Sequence, residues 1–141
     1  VVGARVLDLY AGTGAMGIEA LSRGAEHATF VDASAKAVAT IRENLDTTGL
    51  SDRATVVRAE VLEHVGGLTE PPAQVLADPP YDTPPEGVDD LLRGLAKALT
   101  EPGARVVLTR PHKGYMPVIP VKWQVARELR YGDTLVVIML T

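Results

Sequence analysis

Two spacings of apolar residues alternate along this chain. Arg5 to Tyr10 is an apolar run that ends in a small-residue loop, and the residues after it repeat at helical rather than alternating spacing. Strand, tight loop and helix are therefore predicted in that order. Ala28-Thr29-Phe30-Val31 reads as a second strand ending in Asp32. Ser34 is placed to cap a helix running to about Thr48, with Val38, Ile41 and Leu45 on one face and Gly49 as its stop. Thr55 to Arg58 is a third strand and Val75-Leu76-Ala77 a short buried fourth, separated by loop residues at Gly66-Gly67 and Glu70-Pro71-Pro72. Val88, Leu91, Leu92, Leu95 and Leu99 recur as the core face of a helix, and Arg105 to Thr109 is a fifth strand. The tail reads as two strands, Val121 to Ala126 and Thr134 to Leu140, joined around Gly132-Asp133.

Alternating strands and helices imply an α/β fold, with a parallel sheet, right-handed crossovers, helices on both faces and a hairpin closing one end. Ligands in such folds lie across the carboxyl ends of the strands. Gly12, Gly14, Asp32 and Asp78 all fall on that edge, although they come from different strands.

Composition narrows the picture only a little. With 141 residues, one domain spanning 1–141 is expected, large enough to bury roughly 70% of the surface its unfolded chain exposes. No apolar run approaches the ~20 residues of a membrane helix, and a cytoplasmic location is expected. The chain has no Cys, which excludes disulfides, thiolate metal sites and a Cys nucleophile. Val1-Val2-Gly3-Ala4 carries neither an initiator Met nor a signal-peptide pattern, so the sequence reads as cut from something longer. Its formal charge of −4 gives no overall attraction to nucleic acid, so any such binding needs a local basic patch.

The first loop reads Gly12-Thr13-Gly14-Ala15-Met16-Gly17, a G-x-G-x-x-G spacing between strand and helix. Gly12 and Gly14 let a ligand approach the backbone, and Gly17 lets the helix pack closely on the sheet. The helix N-terminus favours a carboxylate or phosphate. Asp32 stands about 20 positions further on, where an acidic residue hydrogen-bonds ribose hydroxyls. An adenosine-type ligand is implied, with NAD and S-adenosylmethionine as the two candidates. Asp8, in Asp8-Leu9-Tyr10-Ala11, favours the second: its carboxylate would repel a pyrophosphate and attract the ammonium of S-adenosylmethionine. The plainer role for Asp8 is to cap a turn or helix. Glu60, or the Val61 N–H, is placed to read the adenine, and Glu60 reads equally as a solvated loop acid or a helix start.

Asp78-Pro79-Pro80-Tyr81 follows the fourth strand. Each Pro holds the residue before it extended, and neither has an N–H to donate. The turn therefore presents the Asp78 carboxylate and backbone carbonyls as acceptors beside an aromatic plate. That suits a planar exocyclic amine, whose N–H groups need acceptors while its ring stacks on Tyr81. A strand-ending turn is the plainer reading of the same four residues. Asp82 to Gly87 is either a lid or a connector, and Arg110, His112 and Lys113 either meet phosphates or belong to a solvated loop.

Taken together, Asp8 to Gly14, Gly17-Ile18-Glu19-Ala20-Leu21-Ser22-Arg23-Gly24, Asp78-Pro79-Pro80-Tyr81 and Pro120-Val121-Lys122-Trp123 resemble the bacterial small-subunit (16S) rRNA guanine-N2 methyltransferases of the methyltransferase D type. The resemblance implies a Rossmann-like class I S-adenosylmethionine-dependent methyltransferase fold, with a mostly parallel seven-stranded sheet and a carboxy-terminal antiparallel hairpin. It implies S-adenosylmethionine held by Asp8, Tyr10, Ala11, Gly12, Gly14, Asp32, Ala33, Glu60 and Val61, with no metal. Asp78, Pro79 and Tyr81 would carry the chemistry, with Pro80, Tyr81, Arg110 and Lys113 on the RNA. The implied partner is 16S rRNA in an assembled or assembling small ribosomal subunit, and the implied state is a monomer. The family's amino-terminal RNA-holding extension is expected to be absent from this chain. The Asp-Pro-Pro-Tyr turn also occurs in adenine-N6 methyltransferases, so adenine remains the alternative target.

Overall fold

The computed structural model describes residues 2–111 and 116–141. Its elements follow the predicted alternation, with one further helix, α3: β1 Arg5–Leu9, α1 Ala15–Ser22, β2 His27–Asp32, α2 Ala35–Thr48, β3 Ala54–Arg58, α3 Val61–Gly66, β4 Gln74–Ala77, α4 Pro85–Ala98, β5 Arg105–Pro111, β6 Gln124–Tyr131 and β7 Thr134–Leu140. A 3-10 turn, Ser51–Arg53, precedes β3. The seven strands form one sheet in the order β3-β2-β1-β4-β5-β7-β6. The first five are parallel, while β7 pairs antiparallel with both β5 and β6. This is the Rossmann-like class I methyltransferase architecture, with its carboxy-terminal hairpin at one edge.

Strand parity sorts the core into two layers. Leu7, Leu9, Val75, Ala77, Val106 and Leu108 pack with Val61 and Val65 of α3 and with Val88, Leu91, Leu92 and Leu95 of α4. Residues of the opposite parity, Val6, Ala28, Phe30 and Leu76, pack with Leu21 of α1 and with Ile41 and Leu45 of α2. Each fully buried Leu or Val contributes about 1.5–3 kcal/mol, so the α4 stripe anchors that helix to its layer. Helix α2 starts and stops as its sequence predicts: the Ser34 side chain accepts from Ala37 N–H, and Gly49 closes the helix at φ 72°.

Three boundaries differ from the sequence reading, each for a physical reason. Helix α3 has no counterpart in the sequence reading, which places only loop residues between β3 and β4, because its six residues are too few to show a helical period; Glu60 takes the position before it, the helix start open to that residue, without a side-chain capping bond. Glu86 and Gly87 belong to α4 rather than to a loop, because Pro85 takes the first helical position, where its missing N–H has no cost. Strand β6 begins at Gln124, not Val121, and runs to Tyr131. Trp123 N–H instead closes a turn onto the Pro120 carbonyl at 2.9 Å, and its indole is buried in the α4 layer. Edge strand β6 is exposed along nearly all its length, so it lacks the alternation that marks a half-buried strand.

The register brings the strand ends flush. Leu9 pairs with Val31 and with Ala77, and Ala77 pairs with Leu108. Tyr10, Asp32, Asp78 and Thr109 consequently form the next row along the carboxyl edge. Away from that edge, the His27 ring and the Thr55 hydroxyl lie 2.8 Å apart, and burial pushes the pKa values of His27 and His64 down. Among the described residues, no helix is long and apolar enough to cross a membrane.

Candidate active site

Asp8 has the parity of Val6 and therefore faces α1 rather than the α4 layer. It is 3% exposed, and its Oδ2 accepts from Gly17 N–H at 3.0 Å. Burial is the main force pushing its pKa up to about 7; the Gly17 hydrogen bond opposes this, and the negative charges of Asp78 and Asp32 add to it. The helix-capping role open to Asp8 is thus realised at the third helical residue of α1. Gly17 must be glycine for this contact. A Cβ there would meet Phe30 Cε2 at 2.4 Å and Asp8 Oδ2 at 3.0 Å.

Above β1 the chain folds over tightly. Ala11 N–H donates to the Val31 carbonyl at 3.1 Å and Gly14 N–H to the Ala11 carbonyl at 2.7 Å. Gly12 and Gly14 sit at φ 60° and 81° in the left-handed region. Tyr10 shares that region at φ 57°, the only non-glycine among the described residues to do so. Strain of this kind collects where a site fixes the backbone. Asn44, from α2, pins the loop by donating from Nδ2 to the Thr13 carbonyl at 2.9 Å.

Asp32 holds the second side of the loop. Its Oδ2 accepts from Gly12 N–H at 3.0 Å and its Oδ1 from Ser34 N–H at 2.9 Å. A carboxylate offers about four lone-pair directions, so each oxygen keeps one for a further donor. Ala33 is exposed beside it, and the Ala33 carbonyl accepts from Arg58 Nε at 3.3 Å. Val61 buries its side chain while Glu60 stays exposed. Burial, then the Glu60 charge, push the Tyr10 pKa up, while Arg110 pushes it down.

The Asp78 turn is braced from β5. Thr109 Oγ1 donates to Asp78 Oδ1. Arg110 donates from Nη1 to the Pro80 carbonyl at 3.4 Å and from Nη2 to the Thr83 carbonyl at 3.3 Å. Thr83 N–H also reaches the Pro80 carbonyl, at 2.9 Å. The turn's own backbone therefore takes up Pro80 as an acceptor, and among the described residues no donor reaches Pro79. Pro79 is buried, Asp78 is exposed, and Tyr81 stands out with 80% of its surface free. Lys113 and His112 lie outside the described residues.

The arrangement thus brings Asp8, Tyr10, Gly12, Gly14, Asp32, Asp78 and Tyr81 to one edge, and Arg110 reaches that edge as a clamp on the turn. Sequence reasoning missed Thr109 and Asn44. Neither belongs to a spaced motif; only the flush register, which sets Thr109 beside Asp78, would have pointed to the first.

Three carboxylates, Asp8, Asp32 and Asp78, lie close enough to raise the affinity of Asp8 for its proton. Such a cluster repels a pyrophosphate and attracts a cation. The donor and acceptor set therefore fits S-adenosylmethionine, with its ammonium and sulfonium charges, better than it fits NAD with its pyrophosphate. Among the described residues, no cluster of three or more His, Asp or Glu is arranged to hold a metal ion.

The chain resembles known proteins throughout its length. It is 48% identical over 82 residues to "Putative rRNA methyltransferase YlbH" of Bacillus subtilis (strain 168), covering 56% of this chain and 45% of that one. It is 29% identical over 138 residues to ribosomal RNA small subunit methyltransferase D of Escherichia coli (strain K12), covering 94% of this chain and 66% of that protein. A solved structure described as a conserved hypothetical protein of Streptococcus pyogenes superposes with a TM-score of 0.85 at 31% identity, covering 100% of this chain and 88% of that one. The chain spans about half to two thirds of the length of the two curated relatives. The family model described as conserved hypothetical protein 95 matches residues 1–140, and the chain belongs to that family, the small-subunit rRNA methyltransferase D type that its motifs resemble.

Proposed function

We propose that this chain is the catalytic domain of an S-adenosylmethionine-dependent methyltransferase that modifies the exocyclic N2 amine of a guanine in a 16S rRNA hairpin loop. The observation that carries this reading is the adjacency of β1 and β4: it sets a cation-seeking cluster around Asp8 directly beside an acceptor turn at Asp78. Relatives named for rRNA methylation support the choice of rRNA.

When bound, S-adenosylmethionine supplies a methyl group on a cationic sulfur that an amine nitrogen can take up, the C–S electron pair staying with sulfur. Asp8 and the turn through Gly14 hold the amino-acid end, and Asp32 keeps acceptor capacity for ribose hydroxyls. Asp78 and the Pro79 carbonyl accept the amine hydrogens. That draws the nitrogen lone pair out of conjugation with the ring and aims it at the neighbouring subsite. The proton that nitrogen must lose passes by way of Asp78, which is exposed, to solvent. Tyr81 stacks on a base drawn out of its loop, where stacking is already partial.

The test is transfer of labelled methyl from S-adenosylmethionine to unmodified small ribosomal subunits and to free 16S rRNA. The labelled nucleoside is then identified, and cofactor binding is titrated on the same sample. Label in N2-methylguanosine is expected. Label in N6-methyladenosine would move the target to adenine, and cofactor binding without label on either substrate would sink the proposal for this chain.

A further inference from the structure

We infer that Thr109 is a positioning residue for Asp78, and that the carboxyl end of β5 fixes the Asp78–Thr83 turn from both faces of the sheet. The inference rests on the proposed methyl transfer and deepens it. Val106 and Leu108 pack in the α4 layer and Val107 in the other, so Thr109 emerges on the α1 side and Arg110 on the α4 side. Each does a separate task on the same turn. Thr109 Oγ1 donates to Asp78 Oδ1, and Arg110 holds the Pro80 and Thr83 carbonyls.

The consequence is an orientation. Asp78 is exposed and sits at the end of a four-residue strand, so rotation about its side-chain bonds is not stopped by packing. A threonine has one hydroxyl proton and a stiff χ1, so its donation selects one rotamer of the carboxylate. Oδ1 is then engaged, and Oδ2 is left to take one hydrogen of the amine. Arg110 cannot substitute for this, because it fixes the backbone beyond Asp78 and not the carboxylate. Thr109 would therefore act on the turnover step, through the alignment of the amine, and not on binding of cofactor or RNA.

Two measurements test this. A double-mutant cycle of Thr109→Val, Asp78→Ala and the pair, followed by urea unfolding, tests the bond. Midpoints that fail to add are expected; strict additivity would overturn it. Methyl transfer tests the role. Thr109→Val is expected to lower kcat about tenfold with KM for RNA and cofactor affinity within about twofold, and Thr109→Ser, which keeps the hydroxyl, to restore most of the rate. An active wild type with unchanged kcat in Thr109→Val overturns the positioning role alone. A wild type that methylates no RNA overturns the methyltransferase reading and this role with it.

Discussion

The Asp8 carboxylate accepts from Gly17 N–H at 3.0 Å while only 3% exposed, with the charges of Asp32 and Asp78 near enough to raise its pKa. Folding therefore favours its protonated form. The stabilisation from this proton is complete below its ordinary value of 3.8 and is lost as pH rises through about 7. The melting temperature of the ligand-free protein is expected to fall between pH 5 and pH 8, by on the order of 5 °C, and Asp8→Asn should remove that fall. Affinity for S-adenosylmethionine should move the other way. A cation prefers the ionised carboxylate, so binding tightens from pH 6 to pH 8 and releases a proton near pH 6.5, seen by calorimetry in buffers of different ionisation enthalpy. An identical pH dependence in Asp8→Asn would assign the titration to another group.

Among the described glycines, Gly17 leaves the least room for a side chain. An added Cβ would lie 2.4 Å from Phe30 Cε2 and 2.8 Å from its Cζ, and Phe30 is fully buried. Gly17→Ala is expected to cost about 2–3 kcal/mol in urea unfolding, since α1 must lift or the ring must leave its rotamer. Gly49→Ala gives the contrast: open space, with only the φ of 72° opposing it, and a cost of about 1 kcal/mol. If the two losses are equal, Phe30 yields more readily than its packing implies.

How far the sequence reveals this protein depends on which forces leave a local trace. Helix α2, with its Ser34 cap and Gly49 stop, and the α4 stripe from Val88 to Leu95 are written as spacing because each packs on one face. The parallel edge follows from alternation, so Asp32 and Asp78 can be placed together from the sequence alone. The hydrogen bonds are a different matter. Asp32 bonding Gly12 and Ser34, and Thr109 bonding Asp78, depend on register between strands far apart in the chain. Arg110 shows the limit most plainly: as a basic residue past a strand end it suggests a phosphate contact, whereas its guanidinium lies on the Pro80 and Thr83 carbonyls. A guanidinium has five N–H donors, so a phosphate contact remains open to those left over.

Under the proposed function Tyr81 serves recognition and not folding. With 80% of its surface exposed it contributes little to the core, so Tyr81→Ala should leave the urea midpoint unchanged within about 0.5 kcal/mol. Loss of base stacking, worth about 1–3 kcal/mol, should raise KM for RNA about tenfold or more, and Tyr81→Phe should behave as wild type. A large loss in Tyr81→Phe would give the hydroxyl, and not the ring, the decisive contact.

In the proposed reaction Asp78 accepts from the amine, and its charge also acts on Asp8; two substitutions divide these effects. Asp78→Ala removes the acceptor, so methyl transfer should fall at least about 100-fold while S-adenosylmethionine still binds within about threefold at pH 8. Asp78→Asn keeps the shape and removes the charge that helps raise the Asp8 pKa. The midpoint of the pH dependence of cofactor binding should then move to lower pH, because one of the repelling charges is gone. A midpoint that stays in place would mean that Asp78 is screened from Asp8 by solvent. Equal loss of binding and transfer in Asp78→Ala would mean that Asp78 serves the cofactor or the fold, and the amine would then need another acceptor on this edge.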